Sequence, residues 1–143
     1  MNIYQKDYNL GLPLCTFEQA KELKELGFPQ DKCPFYNEHG EFIGGDRHFW
    51  KRSAKFDKFC AAPVLEIVNK WLMAEKEICL SVQPTGTGKY ACHVFSLRDG
   101  LEYAYCVHII YKDDYEESLS RGIDKAIEML RDKQAFKSIL QIE

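Results

Sequence analysis

The sequence predicts an α+β fold built on an antiparallel sheet, and three observations carry that prediction. Between Ala62 and Leu130 the apolar period runs near 3.6, changes to two, and returns to 3.6. Two glycine-bearing turn segments divide the period-two stretch into three strands. A further short hairpin is marked by Asn37-Glu38-His39-Gly40. Together these give about five strands, a small hairpin plus a three-stranded meander, packed with three helices.

The first helix opens at Thr16, which with Gln19 three residues on makes a capping box. Phe17, Ala20, Leu23 and Leu26 continue it until Gly27 and Pro29 end it. Cys33 to Tyr36 and Glu41 to Ile43 flank the hairpin turn, where Gly40 supplies a positive φ. Gly44 to Cys60 has no clean period and reads as a long loop, uncommon inside a compact domain. Pro63 suits the first turn of a second helix whose apolar stripe is Val64, Leu65, Ile67, Val68, Trp71 and Leu72, with Glu66, Asn69 and Lys70 opposite.

After Glu75-Lys76-Glu77, Ile78, Leu80 and Val82 alternate with Cys79 and Ser81 as a strand. Thr85-Gly86-Thr87-Gly88 turns the chain into a second strand, Tyr90 to Leu97, and Asp99-Gly100 turns it into a third, Glu102 to Tyr111. Asp113 or Asp114 then caps a helix with Leu119, Ile123, Ala126, Ile127 and Leu130 at helical spacing. Gly122 within it either costs about 1 kcal/mol relative to alanine or marks close packing on the sheet.

The 143 residues are 45% hydrophobic, 29% charged and 13% aromatic, with a formal net charge of -3. That suits a single α+β domain spanning 1–143, and it gives no global attraction to nucleic acid or to an acidic membrane. No apolar run approaches 18 residues and no signal peptide opens the chain, so a cytoplasmic, non-membrane protein is expected. The six cysteines then face a reducing environment and read as free thiols rather than disulfides.

Four features could carry chemistry. Pro84 to Tyr90 superficially suggests a phosphate loop, but Gln83 stands where a glycine is required, Tyr90 replaces Ser or Thr, and a strand follows instead of a helix. In the loop 47–59, Arg47, Lys51, Arg52, Lys55 and Lys58 interleave with Phe49, Trp50, Phe56 and Phe59. Arg47, Trp50, Lys51, Arg52 and Lys55 are its candidate ligand-binding residues, since cations follow phosphates while aromatic rings stack on bases; the competing reading is a solvated loop pinned by aromatics. A two-residue turn at Asp99-Gly100 would set His93 opposite Cys106 and place His108 on the same face, a trio able to hold zinc only with a further ligand. Asp113, Asp114, Glu116 and Glu117 gather at a helix start, where the dipole favours them without catalysis.

The same turn would put Tyr90, Cys92, Val94, Tyr103, Tyr105, Val107 and Ile109 on one face, leaving both faces apolar-rich. A covering element or a second subunit is then required, and Tyr90, Tyr103 and Tyr105 are the candidate interaction surface.

Cys60-Ala61-Ala62-Pro63 leading to Trp71-Leu72, the strand Ile78-Cys79-Leu80-Ser81-Val82, the aromatic hairpin and the closing helix Tyr115 to Leu130 resemble small uncharacterised accessory proteins of phages, prophages and mobile elements of gut bacteria. Thr16 to Phe28 is similar to the opening of the same group. The resemblance implies a small α+β accessory protein and carries over no catalytic residue or cofactor. The expectation is a non-enzymatic protein-interaction module, a homodimer or a binder of a host protein. The alternative is a nucleotide or nucleic-acid binding protein that sequesters its ligand through 47–59. A metal-dependent enzyme using His93 and His108 stands third.

Overall fold

In the computed structural model, which describes residues 13–30, 34–43, 58–98 and 103–142, Thr16 starts helix α1 (Phe17–Glu25) with a complete capping box. Its hydroxyl accepts from the Gln19 amide at 3.1 Å, and the Gln19 side chain accepts from the Thr16 amide at 2.9 Å. Two of the helix's orphan donors are thereby satisfied. The other end closes through Gly27 at φ 98, with Gly27 N–H donating to Lys24 and Phe28 N–H to Leu23.

The chain divides into two compact units, Met1–Ile67 and Val68–Glu143. In the first, β1 (Phe35–Tyr36), β2 (Phe42–Ile43) and β3 (Cys60–Ala61) form an antiparallel sheet in the order β2-β1-β3. The β1–β2 hairpin is the one the sequence predicts. Asn37 Oδ1 accepts from the amides of His39 and Glu41, and Gly40 sits at φ 81 where a Cβ would come within 2.9 Å of the Phe17 ring. Strand β3 was hidden in the sequence, because two residues show no period. Their place is fixed by partners: Phe35 pairs with Ala61, Tyr36 with Cys60, and Gln30 Oε1 accepts from the Ala61 amide at 2.7 Å.

Helix α2 (Leu65–Lys76) runs from the first unit into the second. Its start is held by Pro13, whose carbonyl takes the Leu65 amide, one of the donors that has no partner within the helix. Leu65, Val68 and Leu72 are buried, but Ile67 is 39% exposed and Met73 43% exposed. The buried stripe is therefore narrower than the sequence suggests, and Asn69 lies within its 65, 68, 69, 72 spacing rather than opposite it.

In the second unit, β4 (Ile78–Pro84), β5 (Tyr90–Arg98) and β6 (Tyr103–Lys112) form the predicted meander, in the order β4-β5-β6. Among the described residues the strands thus number six in two sheets, not about five. Asp114 Oδ1 accepts from the Glu117 amide and starts α3 (Tyr115–Ile142), as the sequence predicts. Leu119, Ile123, Ala126, Ile127 and Leu130 all lie buried on this helix, which packs along all three strands. A Cβ on Gly122 would overlap Cys92 Sγ and touch both Leu80 methyls, so this glycine marks close approach. Ser118, fully buried beside it, donates toward the carbonyls of Tyr90 and Ile110 at 3.2 and 3.5 Å.

The loop Thr85 to Lys89 is a hairpin connection. Gly86 and Gly88 both sit at φ 83, Thr85 N–H donates to Lys89 at 3.0 Å, and the chain passes into β5. The five described cysteines, at 15, 60, 79, 92 and 106, are unbridged.

Candidate interaction surface

The two edges of the second sheet differ. At the β4 edge, the side-chain amide of Asn69 donates to the Leu80 carbonyl at 2.8 Å and accepts from the Leu80 amide at 3.0 Å. One carboxamide thus stands in for a neighbouring strand and closes the edge at its middle. Sequence reasoning missed this role, since a polar residue at this position has no signature beyond its place in the helical stripe.

At the β6 edge, Cys106, Val107, His108 and Ile109 are successive exposed residues, and Tyr111 follows. Val107 is 36%, Ile109 46% and Tyr111 57% exposed. From Cys106 to Tyr111 there is no Lys, Arg, Asp or Glu. Edge strands are ordinarily blunted by charge or proline, and this run carries neither.

The pairing of β5 with β6 corrects the expected register. Arg98 pairs with Tyr103, so four residues, 99–102, separate the paired ends in place of two, and these lie outside the described residues. A second shift follows between Val94 and Phe95: Val94 pairs with His108 but Phe95 with Cys106, leaving Val107 as an extra residue. One added residue reverses the side-chain alternation beyond it. His93 therefore pairs with Ile109, not Cys106, and His108 moves to the Val94 side while Cys106 stays with Phe95. The strands do not assemble His93, Cys106 and His108 as one trio, and among the described residues no group of three His, Cys, Asp or Glu side chains is placed to hold a metal.

By register Ile109 exchanges places with Ile110, and the side chains of Tyr103 and Tyr105 lie outside the described residues. Tyr90 is half-buried and lies edge-to-face on Tyr115 of α3, with ring centroids 6.2 Å apart. The face away from α3 carries rows Cys79–Phe95–Cys106, Ser81–His93–Ile109 and Gln83–Ala91–Tyr111, with the His93 and Phe95 rings stacked at 6.2 Å. Burial raises the Cys79 thiol's pKa, and burial followed by the neighbouring Cys106 and Cys79 pushes that of Cys92 up to about 11. Both stay protonated near neutrality, which is the opposite of an activated nucleophile.

Arg47, Trp50, Lys51, Arg52 and Lys55 lie outside the described residues, as does most of the loop that contains them. Among the described residues no helix is long and apolar enough to cross a membrane. Set against protein-family models, curated proteins and solved structures, the chain matches none.

Proposed function

We propose that this chain is a non-enzymatic interaction module, of the accessory kind that its resemblance to phage and mobile-element proteins suggests, and that it associates with a second copy through β6. One observation carries the reading: an exposed, uncharged edge run from Cys106 to Tyr111 in a sheet whose opposite edge Asn69 closes. Strand addition at such an edge gains main-chain hydrogen bonds and covers Ile109 and Tyr111 together. A two-fold axis beside β6 would present the same uncharged run from both copies, so no foreign charge pattern is required.

The test is the mass in solution of the wild type and of Ile109→Lys/Tyr111→Asp. A wild-type dimer that the double variant converts to a folded monomer supports the reading. A wild type that stays monomeric at high micromolar concentration removes the self-association, and the edge is then a host-protein site or no site.

A further inference from the structure

The second unit contains a concave site that the edge reading does not use. A cavity of about 310 Å³ lies where the end of α2, the start of β4, the end of β5 and the middle of α3 meet. Ile78, Leu97 and Leu130 give it a buried apolar floor, and half-buried Met129, flexible and polarisable, forms part of the wall. Its volume is at the small end for ligand sites and equals about ten waters, room for a ligand of roughly ten non-hydrogen atoms.

The polar lining sets the other end of that ligand. Lys76, Glu77, Ser96 and Lys133 contribute, two cations against one carboxylate. Neither lysine forms an ion pair with Glu77 within 4.0 Å, and among the described residues Lys133 has no acidic partner. The Lys76 ammonium lies 5.5 Å from the centre of the Trp71 ring, which positions it without neutralising it. Glu77 is held by its backbone: it sits at φ 58, and its carbonyl accepts from the Leu97 amide at 2.7 Å. The mouth is thus net positive over an apolar floor.

From this lining we infer that the cavity binds a small amphipathic carboxylate, its apolar body on Ile78, Leu97, Met129 and Leu130 and its head between Lys76 and Lys133. The probe is octanoate, titrated into the uniformly 15N-labelled full chain, with octylammonium as the charge-reversed control. Octanoate is expected to shift the amides of 76–78, 96–97 and 129–133 saturably, and octylammonium is not. Lys133→Met should weaken octanoate about threefold, in keeping with one exposed ion pair. Met129→Trp, which fills the cavity, should abolish the shifts while the remaining spectrum stays native. Equal response to octylammonium, shifts confined to β6, or no saturation at millimolar octanoate would each overturn the site.

Discussion

Tyr36 ties three pieces of the first unit together. Its ring meets Phe17 and Phe42 edge-on at 5.7 and 6.2 Å, and its hydroxyl donates to the Cys15 carbonyl at 2.6 Å. Burial, followed by the thiols of Cys15 and Cys60, pushes its pKa up from the ordinary 10 to about 12. A raised value means that the neutral form is favoured in the fold, so this stabilisation is whole below pH 10 and is lost as pH rises from 10 to 12. Cys92, raised from 9 to about 11, acts with the same sign over pH 9 to 11. Urea unfolding under reductant should accordingly show a lower midpoint at pH 11 than at pH 8, and Tyr36→Phe should shrink that difference while costing about 1 kcal/mol at pH 8. Glu77 offers a second test at this scale. A non-glycine residue at φ 58 carries backbone strain, which asparagine tolerates better. Glu77→Asn is expected to stabilise by about 0.5 kcal/mol, and Glu77→Val to destabilise by more than 1 kcal/mol.

Among the elements, α3 depends on a residue that its own propensity disfavours. Gly122→Ala should gain about 1 kcal/mol in helix propensity but lose about 1 to 3 kcal/mol through overlap with Cys92. Net destabilisation is therefore expected. With Cys92→Ala already present, the same change should turn neutral or favourable, because the overlapping sulfur is gone. If Gly122→Ala costs the same in both backgrounds, close approach is not the reason for the glycine. Helix α2 has a comparable dependence on Asn69. Replacing it with alanine leaves the Leu80 amide and carbonyl without their partners, at about 1 to 3 kcal/mol, and amide exchange at Leu80 should quicken more than at neighbouring β4 positions.

At the level of the whole molecule, the electrostatic and apolar patterns lead in different directions. A net charge of -3 gives no general pull toward polyanions, whereas the proposed strand addition rests on an uncharged exposed edge. Association through β6 should consequently persist in 0.5 M salt, since little charge is involved, while octanoate binding at the Lys76–Lys133 mouth should weaken. Light scattering and the amide titration, each repeated at low and high salt, check the two expectations separately.

Local signals survive in the sequence because their physics is local. Thr16 and Gln19, Asn37 and Gly40, Asp114 and the apolar periods of α3 and the meander act over a few residues, and each is legible without a partner. What the tertiary structure alone decided depends on groups distant in the chain. The two-residue β3 exists through its pairing with Phe35 and Tyr36, Asn69 gains its role only when Leu80 lies beside it, and the extra residue at Val107 shows only against β5. That single residue reversed the alternation, separated His108 from Cys106 and turned Ile109 outward, because side chains in a strand alternate with period two and an insertion of one inverts every face beyond it.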